Sequence, residues 1–436
     1  MDKFIIQGGV PLSGEVTPAG NKNAALPLLA ACLLIEEPVT LYNVPEIRDV
    51  QAMRALLESL GVSIETIGNH TWRIHAKDIS LADLDPDRCR QIRASILLAG
   101  PMVARCGELL LPPPGGDVIG RRRVDTHILA LQALGAQAEY NRESHMFKFK
   151  ADSLNGANIL LDEASVTGTE NAIMAAVLAK GTTILRNAAS EPHIQELCHF
   201  LNNLGAQIDH IGSNTLHIIG VPRIHGGEFT IGPDYLEVVS FIGAAVVTRG
   251  NVRIRNAGIE YLDMIRMVFS RLGVEWQTDG ADPSHPTDVL VSSNQRLTIE
   301  PDLGDAIPTI SVMPWPAFPT DLMSIAIVMA TQSRGSVLFH DWMYPSRMFF
   351  IDKLVNMGAQ IVLCDPHRCI VQGPTGLVGE KMESPDIRAG MSLVLAALAA
   401  RGQSVIRNVG QIDRGYESVD EKLRALGGRI ERVHEE

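Results

Sequence analysis

Leu201-Asn-Asn-Leu-Gly-Ala-Gln-Ile208 decides the fold, because its pattern occurs six times in the chain. An amphipathic run closes on Leu-Gly or Met-Gly and is followed at once by a short strand-forming segment. The other copies are LESLGVSI (57–64), LQALGAQA (131–138), SRLGVEW (270–276), LVNMGAQI (354–361) and LRALGGRI (423–430). Their glycines, Gly61, Gly135, Gly205, Gly273, Gly358 and Gly427, lie 74, 70, 68, 85 and 69 residues apart. Helices commonly end at a glycine in the left-handed conformation. Each copy therefore predicts a helix, a terminating glycine and a strand. The period is longer than a solenoid unit, so each copy is a small subdomain.

Upstream of most markers lies a turn, a short β-rich run and then Asn or Asp. The examples are EPVTLYN (37–43), KGTTILRN (180–187), RGNVRIRN (249–256), RGSVLFHD (334–341) and RGQSVIRN (401–408). Before these sit segments rich in Ala, Leu and Met, at 24–35, 93–104, 170–181, 236–247, 320–330 and 387–400. Helices apolar on nearly every side are buried, whereas the marker helices keep a polar face. The expected fold is α/β: two domains of three repeated subdomains each, with buried helices inside and sheets and outer helices outside. The strand at residues 3–7 precedes the first full repeat and is expected to complete the last one. The expected boundaries are 1–21 plus 231–436 for a discontinuous first domain and 22–230 for the second. A chain of 436 residues is long for one core.

Hydrophobic residues make up 46% and charged residues 20%, as in ordinary soluble proteins. The net charge of -12 argues against the broad basic face that nucleic acid requires. Local arginines can still bind small anions. The six cysteines form no CxxC pair and read as small buried hydrophobes. There is no Walker-type loop, no GxGxxG after a strand and no HExxH, so no cofactor or metal is expected. Asp125-Thr126-His127 holds ligand-type residues, but adjacent helix positions do not face one another. The N-terminus lacks a signal-peptide pattern, and the longest apolar runs are too short to span a bilayer. A cytoplasmic protein is expected, with no membrane contact and no obligate protein partner.

The repeats also align charges. Thirteen residues before the marker glycine stand Arg48, Arg122 and Arg414 in the first, second and sixth copies, and Glu260 in the fourth. The third and fifth copies have Pro192 and Pro345 there, with Arg347 two residues after the latter. The buried helices are expected to begin with Asn21-Lys22-Asn23, Arg93, Glu170-Asn171, Glu237, Asp321 and Arg388. A charge on an apolar helix must be paired or ligated, and helix N-termini favour anions. A cleft between two such converging faces would suit a multiply anionic substrate. The second repeat alone carries an expanded loop, Pro113-Pro-Gly-Gly-Asp-Val-Ile-Gly-Arg-Arg-Arg-Val-Asp125. Its glycines permit close backbone approach, its arginines fork onto phosphate or carboxylate, and Asp117 stands among them as an acid. Loops on rigid scaffolds often carry function, and this one is expected to act as a lid.

Six stretches are similar to the enolpyruvyl transferase family, in order and across the whole chain. They are GNKNAALP (20–27), NVPEIRDV (43–50), IRASILLAGP (92–101), PGGDVIGRRRVDTH (114–127), PAFPTDLM (316–323) and IDRGYESVDEKLRALG (412–427). The resemblance implies two inverse α/β domains of three units each. It also implies a cofactor-free reaction: an acceptor hydroxyl adds to C2 of phosphoenolpyruvate, and phosphate is then eliminated. GNKN, PGGDxIG and DRGYE favour UDP-N-acetylglucosamine as acceptor, in the first committed step of peptidoglycan synthesis. Transfer to shikimate 3-phosphate or another nucleotide, and non-catalytic nucleotide-sugar binding, are the alternatives.

By this resemblance Lys22, Arg122 and Arg414 hold the phosphate of phosphoenolpyruvate, with Arg388 nearby. Asn23 and Asp321 contact the sugar, and Asp321 is the candidate base for the attacking hydroxyl. Arg93, Arg122, Arg123, Val124, Asp125 and Thr126 face the nucleotide sugar. Glu163, Ser165 and Val166 lie towards its uridine and diphosphate, and Met343 and Arg347 lie close to substrate. The catalytic set is Asp117, Lys22, Asp321 and Arg414. Most members carry cysteine where Asp117 stands, and that cysteine is the alkylation target of the epoxide fosfomycin. The aspartate therefore implies insensitivity. Arg123, Glu163 and Thr167-Gly168 also depart from the usual pattern, at the uridine end. Asp117 either donates a proton, with its pKa raised by substrate anions, or organises Arg121 to Arg123 and assists phosphate departure.

Overall fold

The computed structural model describes residues 2–81, 84–116, 123–280, 282 and 287–434. Asp117 and Arg122, both expected in the site, lie outside the described residues, as does Arg121. The chain divides into two compact units, each with its own core. It passes from one to the other between Ala19 and Gly20 and between Gly232 and Pro233, two residues from each expected boundary.

In the unit formed by 2–19 and 233–434, three helices pack on one another: Tyr235–Val247, Met323–Ala330 and Ile387–Ala399. The first two are buried at every residue, as all-round apolarity requires. Three four-stranded sheets cover them. One runs Lys381–Glu383, Gln403–Arg407, Asp2–Gln7, Arg429–His434. The N-terminal strand lies antiparallel between two strands of the last repeat and completes it, as expected.

In the unit formed by 20–116 and 123–232 the inner helices are Lys22–Ala31, Ala99–Cys106 and Val166–Ala176. The middle one is preceded by a 3-10 stretch, Arg93–Leu98, so the segment 93–104 is not one α-helix. Pro101 lacks the N–H that a continuous helix would aim at Leu97. Glu170 and Asn171 lie in the second turn of their helix rather than at its start, because Ser165 caps the helix earlier by accepting from Gly168 N at 3.2 Å. Both remain buried. Gly100 is where two inner helices touch: a Cβ there would lie 2.5 Å from Asn171 O.

The subdomains share one plan. A first strand pairs in parallel with a short neighbour on one side and antiparallel with a hairpin strand on the other. The second repeat departs again: among the described residues its sheet has three strands, Glu108–Leu111, Met146–Lys150 and Gln137–Asn141. All six marker glycines have φ between 75° and 105°, which other L-residues rarely adopt. Asn43, Asn187, Asn256 and Asn408, which end the β-rich runs, are left-handed as well, with φ from 48° to 57°. Three of them donate from Nδ2 to the carbonyl just past the parallel strand: Ile231 O at 2.8 Å, Leu161 O at 3.0 Å and Ser384 O at 3.1 Å.

Candidate active site

Lys22 opens the helix Lys22–Ala31 behind an Asn21 cap, whose Oδ1 accepts from Asn23 N at 2.9 Å. The Lys22 ammonium is buried and pairs with Asp49 Oδ2 at 2.7 Å. Asp49 stands in the first turn of Arg48–Ser59, where a carboxylate also suits the helix dipole. Sequence reasoning missed this partner, although Arg48-Asp49 lies within a quoted motif. Of the three aligned arginines, the two described are not alike locally. Arg48 begins an α-helix, whereas Arg414 ends a 3-10 stretch ahead of Val419–Ala425.

A second cluster in the same unit gathers the residues expected at the nucleotide end. Arg93 donates to Arg123 O at 2.7 Å. Arg123 donates to Asp125 Oδ2 at 3.0 Å and Asp162 Oδ2 at 3.1 Å. Thr126 Oγ1 donates to Asp162 Oδ1 at 2.7 Å. The first turns of Asp125–Ala133 and Val166–Ala176 are in contact, since a Cβ on Gly168 would come within 3.0 Å of Thr126 Cγ2. Two helix N-termini and two guanidiniums thus meet at one place; Arg123 is already paired with Asp125 and Asp162, so the helix ends and Arg93 are what favour an anion there. Ser165 and Val166 are partly exposed beside it, as is Val124, and Glu163 is exposed. Thr126 and the adjacent His127 bond different partners, and His127 faces inward to Asn171 and Thr167.

In the other unit Asp321 is bridged by two buried arginines, Arg347 Nη2 at 2.5 Å and Arg388 Nε at 3.4 Å. Asp321 lies on the 3-10 turn Thr320–Leu322 ahead of its inner helix, and Arg388 follows the Asp386 cap of the next. Burial opposes the charge on Arg388, but Tyr416, Asp321 and Asp234 outweigh it and hold its pKa above the usual range. For Arg347, burial is likewise outweighed, by Asp321 and Asp386 first. The Tyr416 ring sits 5.5 Å from the Arg388 guanidinium, and its hydroxyl meets Ser240 Oγ at 2.9 Å. Arg347 Nε and Arg388 Nη1 are buried with no hydrogen-bond partner among the described residues. A buried donor without an acceptor is costly, and an anion site has such donors before its ligand arrives. Met343, partly buried, follows Asp341, whose Oδ1 accepts from Met343 N at 3.0 Å. Arg414, partly exposed, donates to Gln411 Oε1 at 3.1 Å.

The family model for EPSP synthase (3-phosphoshikimate 1-carboxyvinyltransferase) matches residues 6–423. The chain belongs to the EPSP synthase family. Relatives within it include the UDP-N-acetylglucosamine 1-carboxyvinyltransferases of Bradyrhizobium diazoefficiens and Treponema denticola. The first is 55% identical over 99% of this chain and 98% of its own length, and the second 52% over 99% of both. The fold is that of the enolpyruvyl transferase NikO from Streptomyces tendae, with a TM-score of 0.87 at 23% identity over 100% of this chain and 99% of that one. EPSP synthase from Acinetobacter baumannii superposes with a TM-score of 0.76 at 18% identity over the whole of both chains. The likeness to the enolpyruvyl transferases, and the six-repeat fold it implies, are borne out.

Proposed function

We propose that this EPSP synthase family member transfers the enolpyruvyl group of phosphoenolpyruvate to the 3′-hydroxyl of UDP-N-acetylglucosamine and releases phosphate. This is the first committed step of peptidoglycan synthesis, a cytoplasmic reaction. The observation that carries it is the 55% identity over nearly full length to a relative named for that transfer. Among the described residues no helix is long and apolar enough to cross a membrane.

In the addition step O3′ attacks C2 of phosphoenolpyruvate, the hydroxyl proton leaves to a base, and C3 is protonated. In the elimination step C3 loses a proton, the C2–O bond to phosphate breaks, and the enol ether forms. The intermediate carries carboxylate and phosphate on one carbon, so preorganised cations lower its energy. Lys22, Arg122 and Arg414 bind the phosphate, with Arg388 beside it. Asn23 and Asp321 orient the sugar. Each oxygen of Asp321 faces a guanidinium, and a carboxylate oxygen keeps a second lone pair, which is where the hydroxyl proton is accepted. Arg93, Arg123, Val124, Asp125, Thr126, Glu163, Ser165 and Val166 surround the nucleotide, and Met343 and Arg347 complete the sugar side. Asp117 supplies the proton to C3.

Phosphate release from phosphoenolpyruvate tests this reading. Release is expected with UDP-N-acetylglucosamine, not with shikimate 3-phosphate, and unchanged by fosfomycin. Release with shikimate 3-phosphate instead, or tight nucleotide-sugar binding without release, overturns it. A fosfomycin adduct on residue 117 by mass spectrometry would refute the insensitivity.

Asp117→Asn is expected to abolish turnover while nucleotide-sugar binding persists; near-normal turnover would exclude it as donor. An aspartate starts from a pKa near ~3.9, against ~8.5 for cysteine, and donates only while protonated. Activity should therefore fall at lower alkaline pH than in a cysteine-bearing relative. A flat profile to about pH 9, beyond both ordinary values, would count against it.

A further inference from the structure

Asn171 is buried in the second turn of Val166–Ala176, and its amide is oriented without ambiguity. Oδ1 accepts from Gly100 N at 2.7 Å and Nδ2 donates to Ile96 O at 2.8 Å. The second Nδ2 hydrogen points at His127 Nδ1, 2.7 Å away. A donor at that distance makes Nδ1 the acceptor, so a neutral ring must carry its proton on Nε2. Nε2 lies 3.0 Å from Thr167 Oγ1 and donates to it. Burial, and then the charge of Arg93, push the His127 pKa down to about 3, so the ring is neutral throughout the physiological range.

Thr167 is thereby left with a hydroxyl proton that the protein does not use. Its Oγ1 has no other hydrogen-bond partner among the described residues. Hydroxyls inside helices commonly donate to the carbonyl four residues back, as Thr248 and Ser240 do. Thr167 is the second residue of its helix, and it is partly exposed beside Ser165 where the two helix N-termini and Arg93 and Arg123 meet. A nucleotide sugar brings anionic oxygens only in its diphosphate, and the helix ends and Arg93 favour an anion here, while Arg123 is held by Asp125 and Asp162.

We propose that Thr167 donates a hydrogen bond to a diphosphate oxygen of the acceptor, its hydroxyl directed by the Asn171–His127 pair, and this rests on UDP-N-acetylglucosamine being that acceptor. Thr167 is a binding residue for the nucleotide sugar; His127 and Asn171 are positioning residues.

Calorimetry with the whole enzyme, using UDP-N-acetylglucosamine and UDP as probes, tests it. Thr167→Val keeps the shape and removes the donor. It should weaken both ligands by tenfold or more, since hydrogen bonds to charged groups are the strong ones, and leave KM for phosphoenolpyruvate unchanged. Thr167→Ser should bind like the parent. Nitrogen-15 shifts of the His127 ring should report protonated Nε2 and bare Nδ1. Equal affinity of Thr167→Val and parent overturns the proposal, and so does Thr167→Ser as weak as Thr167→Val, or a ring protonated on Nδ1. If the parent neither binds nor turns over UDP-N-acetylglucosamine, the acceptor assignment itself fails and the proposal falls with it.

Discussion

Glu170 stands on the inner helix Val166–Ala176 and His127, from the helix Asp125–Ala133, bonds to that same inner helix; their pKa values shift in opposite senses. Burial, and then Glu191, raise the Glu170 pKa well above the ordinary carboxylate value, and Glu170 Oε1 has no hydrogen-bond partner among the described residues. In the folded chain it stays protonated where the unfolded chain would ionise. Its stability contribution is full at pH values below its unfolded pKa of ~4.5 and is lost as pH rises through the folded value, at about 1.4 kcal/mol per pH unit. Glu170→Gln removes that loss. Its melting temperature relative to the parent should climb between pH 4.5 and 7, and a gap that stays constant across that range would contradict the assignment. His127 is depressed instead, so its contribution is full at pH values above ~6.5 and is lost on acidification towards about 3. At residue scale the acid partners were the least legible part of the site. Asp49 and Asp162 come from positions no repeat alignment marks, and Asn171 joins His127 across 44 residues.

At the scale of elements, the glycine markers were legible because geometry leaves little choice. Gly427 has φ of 88°, and a Cβ there would meet nothing within 4 Å. Gly427→Ala therefore reads backbone strain alone and should cost about 1–2 kcal/mol. The denaturation midpoint should fall with an unchanged m-value; an unshifted midpoint would mean that the helix end relaxes. The asparagines closing the β-rich runs were visible as a pattern, but their purpose was not. It depends on a carbonyl from the parallel strand, which in the first repeat lies 188 residues away. Inner-helix starts were misjudged where the charge drew the eye past the cap. Ser165, Asp234 and Asp386 hold the first turns, and the charged residues follow them.

At the scale of the molecule, six copies of one plan were readable because a period repeated within one chain needs no outside alignment. The three-stranded sheet belongs to the repeat that carries the expanded loop, so the departure in sequence and the departure in sheet coincide. The choice of acceptor was not legible from repeats or charge, since a clamp for anions does not distinguish one anion from another. It came from likeness at the level of motifs and then of whole chains.

The N-terminal strand has a consequence for how the protein comes into being. Among the described residues, Asp2–Gln7 finds its strand partners only in Gln403–Arg407 and Arg429–His434. A ribosome makes these residues long before their partners. Apart from 117–122, residues 20–232 form one unit whose sheets, among the described residues, draw on no later segment, so it can close once its own last strand, Gly227–Thr230, has emerged. Throughout that interval the first strand waits with its ladder unmade. The unit holding that strand is thus begun before the other and completed after it, and its first strand is the part that an early, mistaken pairing can reach.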